Sequence, residues 1–274
     1  MGHSTSEKFC KLIKMLRPRL IPCLLVKNKG LVKTINFKDV KYVGDPINAV
    51  RIFNEKEVDE MMVLDIDATT ENRGPDYKMI EHLAEECRMP LCYGGGVKTV
   101  EQVQRIIGLG VEKIAISSAA VEKPELVKIA SGCVGNQSVV VVLDVKKHET
   151  GGRYEVWTHN GQKNTGKCPI EFTQQLEKLG VGEIVVNSID NDGIMKGYDL
   201  KLIEKIRKVI SVPLTVLGGA GSLHDIIQLI NKFGVIGAAA GSLFVFKGVY
   251  RAVLINYPNR AEKDTIIREF NRVA

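Results

Sequence analysis

From Arg19 onward the chain alternates short runs of β-branched and aliphatic residues with longer stretches in which apolar positions recur at helical spacing. Eight runs predict strands: Leu20 to Val26, Met61 to Asp65, Pro90 to Tyr93, Lys113 to Ser117, Ser138 to Asp144, Glu183 to Asn187, Pro213 to Leu217 and Val235 to Ala240. Val139-Val140-Val141-Val142-Leu143 has no polar alternate, which marks a strand covered on both faces in a parallel sheet. Pro46 to Lys56, Val100 to Leu109, Ile170 to Leu179 and Leu200 to Val209 each carry one apolar stripe and are predicted helices. Eight strand–helix units in about 250 residues exceed a usual doubly wound sheet and match a (β/α)8 TIM barrel, an α/β fold.

An internal repeat strengthens that reading. Tyr93-Gly94-Gly95-Gly96 recurs as Leu217-Gly218-Gly219-Ala220, and Ile116-Ser117-Ser118 as Ala240-Gly241-Ser242; Gly94 to Gly218 and Ser118 to Ser242 are both separations of 124 residues. A constant offset of that length predicts two duplicated half-barrels of four units each. In a barrel the loops after the strands form the active face, where a glycine turn lets backbone N–H groups approach an anion. Gly94 and Gly95 with Ser117 and Ser118, and Gly218 and Gly219 with Gly241 and Ser242, are therefore two candidate phosphate sites. Glycines that merely permit tight turns explain one copy equally well. Two copies across one barrel mouth favour a ligand with a phosphate at each end.

Acid–base chemistry on this fold needs titratable groups at the C-terminal ends of strands. Asp144 closes the most apolar run in the chain, where a carboxylate is costly unless it is used or paired. It is the first candidate for a catalytic residue, the plainer reading being a loop-organising pair with Lys146 or Lys147. The duplication sets Leu24-Leu25-Val26-Lys27 against Leu143-Asp144-Val145-Lys146, so Leu25 stands where a second carboxylate would be expected. A leucine moves no proton, and a mechanism relying on both positions loses about 10² to 10⁴ in rate. Other acids at strand ends are Asp65 and Asp67, and Asp190 and Asp192 before Gly193; Asp65 and Asp192 are the candidates for substrate contact.

Composition narrows the picture further. The 45% hydrophobic and 26% charged content is that of an ordinary globular protein, and the longest apolar runs are too short to span a bilayer. The net charge of +6 is spread along the chain without a basic, aromatic-studded stripe, so an anionic small molecule is expected, and neither nucleic acid nor a membrane. Six cysteines, Cys10, Cys23, Cys87, Cys92, Cys133 and Cys168, lie far apart with no C-x-x-C pair and no signal peptide, and are read as reduced thiols of a cytoplasmic protein. Metal ligation and a cofactor are not expected. Residues 1–15, with their Gly-His-Ser-Thr-Ser start, read as a leader or tag-like segment, and 16–274 as a single barrel domain.

Ile21-Pro22-Cys23-Leu24, Gly44-Asp45-Pro46, Leu64-Asp65-Ile66, Gly94-Gly95-Gly96-Val97, Ser118-Ala119-Ala120-Val121, Asn164-Thr165-Gly166, Ser188-Ile189-Asp190-Asn191-Asp192-Gly193 and Gly218-Gly219-Ala220-Gly221 resemble the cyclase subunit of imidazole glycerol phosphate synthase, in order from Leu16 to Tyr257. The resemblance implies a glutaminase partner whose ammonia passes through the barrel to a bisphosphorylated ribulosyl substrate. It implies that Asp144 is one of two catalytic aspartates and that Lys33 is the loop lysine that closes over the substrate. It also implies that Arg19, Glu60, Lys113 and Glu183, at the starts of strands one, two, four and six, form a charged ammonia gate; a brace for the barrel bottom is the plainer reading. The chain departs from the family at Leu25 and in the loop Lys27-Asn28-Lys29-Gly30. Those departures bring in divergent relatives from surface-polysaccharide pathways, which conduct ammonia for a separate sugar-amidating enzyme. An isomerase of the same half-barrel superfamily is a third, weaker reading.

Overall fold

The computed structural model describes residues 17–148 and 151–273, with the backbone alone from 267 onward. The leader-like segment 1–15 lies outside the described residues. Eight parallel strands close into a barrel: β1 (Arg19–Lys27), β2 (Met61–Asp65), β3 (Leu91–Gly94), β4 (Lys113–Ile116), β5 (Val139–Lys147), β6 (Glu183–Ser188), β7 (Leu214–Leu217) and β8 (Gly237–Ala240). Each pairs in parallel with the next, and β8 returns to β1 through Arg19↔Gly237 to Pro22↔Ala240. The predicted TIM barrel is thus the observed fold, with strand bounds within two residues of those read from the sequence except at the end of β5, which runs on past the mouth.

The apolar runs lack alternation because both strand faces are buried, each in a different core. Outward residues such as Leu24, Val63, Val141 and Ile184 pack with the surrounding helices, whereas Ile21, Cys23, Met62, Cys92, Val140, Val142, Val185 and Ala239 fill the barrel interior. Helices α1 (Pro46–Glu55), α2 (Tyr77–Glu86), α3 (Val100–Gly108), α4 (Glu125–Val134), α5 (Pro169–Lys178), α6 (Leu200–Arg207) and α7 (Leu223–Phe233) form the outer ring, followed by α8 (Arg260–Val273).

The duplication is visible in local chemistry. Helices α3 and α7 both begin with a capping box, Thr99 with Gln102 and Ser222 with Asp225, each satisfying orphan amides directly after a glycine turn. Two antiparallel hairpins also rise above the mouth, one of them where the resemblance implied a loop. Residues Gly30–Ile35 and Lys38–Gly44 extend β1, and Tyr154–Thr158 with Lys163–Asn164 extend β5. Asn28 and Lys29, at φ 48° and 63°, make the tight two-residue turn that folds the chain back as strand from Gly30, so Lys33 stands on a strand and not on a loop.

Candidate functional site

Side chains two apart along a strand share a face, so each barrel strand carries an inward ladder from floor to mouth. On β1 the ladder is Arg19, Ile21, Cys23 and Leu25; on β6 it is Glu183, Val185 and Asn187; on β5 it is Val140, Val142 and Asp144. The floor rungs and the mouth rungs are where the polar groups gather.

At the floor the four charges expected as a gate meet in one closed ring. Arg19 bonds Glu60 and, through Nη2, Glu183 Oε1 at 2.7 Å. Lys113 Nζ bonds Glu60 Oε1 at 2.8 Å and Glu183 Oε2 at 2.9 Å. Burial alone would raise the Glu183 carboxyl, but Arg19, Lys113 and a Thr215 hydrogen bond hold it down at about 2. The same carboxylates hold the Arg19 and Lys113 cations above their ordinary range against the opposing effect of burial. Thr215, fully buried on β7, is a member of this assembly that no sequence pattern announces; its Oγ1 donates to Glu183 Oε1 at 2.5 Å. Gly237 on β8 makes room for it, because a Cβ there would lie 1.8 Å from Thr215 Oγ1.

At the mouth lies a cavity of about 460 Å³, walled by Leu25, Lys33, Asp65, Gly94, Gly95, Ser117, Ser118, Asp144, Asp192, Gly193, Gly218, Gly219, Gly241 and Ser242. Residues more than two hundred apart in sequence thus reach one space because all stand at the C-terminal ends of strands or in the loops that follow. Gly95 and Gly219 have φ of 130° and 115°, and a Cβ on either would fall 2.6 Å from Asp65 or 2.1 Å from Gly197 O. Only glycine fits these two turns. The Ser118 hydroxyl is already engaged, accepting the His159 N–H at 3.1 Å.

Asp144 projects from β5 into the cavity wall and accepts a hydrogen bond from Asn187 Nδ2 at 3.0 Å, not from Lys146 or Lys147. Burial pushes its carboxyl up to about 7, aided by Asp192 and opposed by the Asn187 hydrogen bond. A group titrating there exchanges protons readily near neutral pH. Across the strand pairing, Asp144 lies beside Asn187, whereas the corresponding pair in the other half-barrel is Leu25 beside Leu64.

The other acids are committed elsewhere. Asp65 Oδ1 accepts the amides of Asp67 and Ala68, each at 3.1 Å, and its Oδ2 faces Arg73 at 3.3 Å. Asp192 Oδ2 accepts from Thr34 at 2.6 Å and from the Phe37 amide at 3.2 Å, tying the first hairpin down over the mouth. Asp67 pairs with Lys27 at 3.3 Å and Asp190 accepts the Lys147 amide at 2.7 Å; neither lines the cavity. Cys23 does line it, but burial pushes its thiol up to about 12, so it carries no charge to act as a base. Lys33 reaches in from the hairpin, almost wholly buried, and donates to Cys23 O at 2.6 Å; burial lowers its affinity for the proton, with Cys23 and Asp192 opposing. Its Nζ stands 2.5 Å from where a Gly241 Cβ would be, directly beside the Gly241-Ser242 turn.

Asn187, Thr34 and His159 also wall the cavity and were not singled out in the sequence. Asn187 carries a legible signal, since it is the polar end of the apolar run Ile184-Val185-Val186, the same signal that marks Asp144. Thr34 and His159 sit in hairpins whose register alone brings them in. Among the described residues no group of three or more His, Cys, Asp or Glu side chains is arranged to hold a metal ion, none of the five cysteines is disulfide-bonded, and no helix is long and apolar enough to cross a membrane.

Residues 19–251 match the family model described as histidine biosynthesis protein. A protein from Leptospira interrogans, provisionally named as imidazole glycerol phosphate synthase subunit HisF, is 56% identical over 252 residues, covering 92% of this chain and 99% of that protein. A Vibrio vulnificus protein under a like provisional name is 57% identical over 253 residues, 92% of this chain and 97% of its own. The imidazole glycerol phosphate synthase subunit HisF of Lactococcus lactis subsp. cremoris is 41% identical over 230 residues, 84% of this chain and 89% of its own.

Proposed function

The chain belongs to the histidine biosynthesis protein family, and on that premise we propose that it is the cyclase-type barrel subunit of imidazole glycerol phosphate synthase, working on ammonia supplied by a glutaminase partner. The observation that carries this reading is the closed ring of Arg19, Glu60, Lys113 and Glu183 at the foot of an apolar interior that opens at its other end beside Asp144. Four charges paired at the entrance admit a small neutral molecule on rearrangement and hold back bulk water and ions. The interior above the ring is apolar, with the small side chains Cys23, Cys92, Ala115 and Ala239 among its members, and on this reading ammonia passes between them.

At the mouth the two glycine turns, with Ser117-Ser118 and Gly241-Ser242, hold the two phosphates of a ribulosyl bisphosphate substrate through backbone amides. Lys33 on its hairpin covers the Gly241 side and neutralises phosphate charge as substrate arrives. Asp144 passes protons during addition of ammonia and ring closure, its titration near neutrality suiting it to give and take them in turn. The site acts without a metal or redox cofactor in this reading.

A second reading has its own observation. The Leu25–Leu64 pair opposite Asp144–Asn187 leaves one half of the site without a proton-transferring group, and the remaining acids are bonded into loops. On this reading the barrel conducts ammonia to a separate sugar-amidating enzyme and performs no cyclisation itself.

Cyclisation of the ribulosyl bisphosphate with saturating ammonium salt at alkaline pH, by the native chain and by Leu25→Asp, decides between them. Robust native turnover establishes the cyclase. Negligible turnover that Leu25→Asp raises by about 10² to 10⁴ establishes an ammonia-conducting barrel. Absence of glutamine-dependent ammonia release when the chain is mixed with its glutaminase overturns both.

A further inference from the structure

Three of the four ring charges stand on barrel strands, Arg19 on β1, Lys113 on β4 and Glu183 on β6, where pairing with a neighbouring strand fixes the backbone. Glu60 does not. It precedes β2 (Met61–Asp65), and β1 comes into register with β2 only from Cys23↔Met62 onward. The backbone groups beside the Arg19–Glu60 contact therefore need partners outside the ladder, and they find them around α8. Asp59 Oδ2 accepts the Leu20 amide at 3.0 Å, and the Tyr257 hydroxyl donates to Leu20 O at 2.9 Å while accepting the Asp59 amide at 3.3 Å. Lys263 on α8 donates to Asp59 Oδ1 at 3.1 Å and to Glu57 O at 2.9 Å, and its cation lies 5.4 Å from the centre of the Tyr257 ring. Glu57 has a φ of 50°, so the bend leading to Glu60 is one that a non-glycine residue keeps only when its surroundings fix it. Tyr257 is itself anchored, packing on Phe244 with ring centres 5.2 Å apart, and burial beside Asp59 keeps its hydroxyl protonated.

We propose that Tyr257, Asp59 and Lys263 are positioning residues for the floor ring, a clamp that ties Leu20 to Asp59 and thereby sets how closely their neighbours Arg19 and Glu60 meet. The inference rests on the reading of that ring as the ammonia gate and deepens it, since α8 becomes the element that holds the gate closed. Glu60 bonds both Arg19 and Lys113, so a shift of the segment that carries it loosens both cations at once. Arg19 is then left to Glu183 alone. Apolar contacts such as that of Ile266, 2% exposed, suffice to dock α8 on the barrel. The clamp adds to them four hydrogen bonds and an ion pair directed at one gap between two chain segments, next to the one ring member that no strand holds.

The test uses the full chain labelled with ¹⁵N at arginine and ¹³C at glutamate. At neutral pH the Arg19 guanidinium, bonded through Nη1 to Glu60 and through Nη2 to Glu183, is expected to give separate, slowly rotating NηH signals, assigned by their loss in Arg19→Lys. Tyr257→Phe, which removes only the hydroxyl, and Lys263→Met are each expected to speed that rotation about ten-fold, as for the loss of one hydrogen bond. Burial would raise the Glu183 carboxyl and Arg19 leads the partners that hold it at about 2, so its ¹³C titration is expected to move upward in both variants. Ile266→Ala, which weakens α8 without touching the clamp's polar groups, is expected to leave both readouts as in the native chain. Unchanged Arg19 and Glu183 signals in Tyr257→Phe and Lys263→Met, or the same change in Ile266→Ala, overturn the proposal and leave α8 as a helix docked for stability alone. In the complex with the glutaminase, the two clamp variants are expected to lower glutamine-dependent ammonia transfer and to spare the use of added ammonium salt, which reaches the open mouth without crossing the floor. A loosened ring with glutamine-dependent transfer undiminished upholds the positioning role and refutes the gate reading instead.

Discussion

Replacing Glu183 with glutamine tests whether the floor ring is held by charge. In the native chain the carboxylate touches Arg19, Lys113 and Thr215 and is lowered from an ordinary 4.5 to about 2. A displacement of that size corresponds to about 3 kcal/mol of stability at neutral pH. The sign follows from the direction: a carboxyl depressed in the fold stabilises fully above its unfolded value, and the effect is lost as the pH falls through the folded value. Glu183→Gln leaves the two half-buried cations with Glu60 as their sole anionic partner in the ring, which is the same loss seen from the cations' side. Urea unfolding followed by circular dichroism should therefore show the variant less stable by about 3 kcal/mol near pH 7 and by roughly half as much near pH 3, where the unfolded native chain already holds the proton. A difference that stays constant across that range would refute the electrostatic account and assign the loss to packing.

Asp144 should behave in the opposite sense. Its folded value is raised to about 7, so ionising it works against the fold as the pH climbs from about 4 to about 7. Asp144→Asn is accordingly expected to raise the thermal midpoint above pH 7 and to have little effect below pH 4, while lowering any turnover about 10² to 10⁴; equal stabilisation at both ends of a pH series of melts would contradict this. Gly219→Ala, whose Cβ would meet Gly197 O at 2.1 Å in a left-handed backbone, should destabilise by more than about 2 kcal/mol and weaken phosphate-ligand binding by calorimetry, whereas Gly108→Ala, with nothing within 4 Å, should be harmless. Gly237→Ala should displace Thr215 from Glu183 and impair glutamine-dependent ammonia transfer more than transfer from added ammonium salt.

Much of the site's membership was readable because duplication supplies an internal control. The paired glycine turns, the serines 124 residues apart and the lone carboxylate facing a leucine are statements about two halves compared with one another. Asn187 was readable by the same argument as Asp144, a polar residue ending an apolar strand. Thr215 carried no such mark, since a threonine inside Pro213-Leu214-Thr215-Val216-Leu217 is an ordinary strand residue until its partner is known. The commitment of Asp65 and Asp192 to loop amides was equally hidden, because a carboxylate at a strand end looks the same whether it awaits a ligand or braces a turn.

Periodicity, repeat spacing and residue chemistry along the chain were enough to determine the barrel, its two halves and the strand ends where chemistry belongs, because each is a consequence of local pattern and of one closed topology that satisfies it. Tertiary structure alone decided which polar groups are spent on one another. Whether Lys33 reaches the Gly241 turn, whether Glu183 finds both cations and a threonine, and whether Asn187 keeps an oxygen free depend on register and on distances between strands that are far apart in sequence, and hydrogen bonds, with their reach of about 3 Å, are decided at that scale.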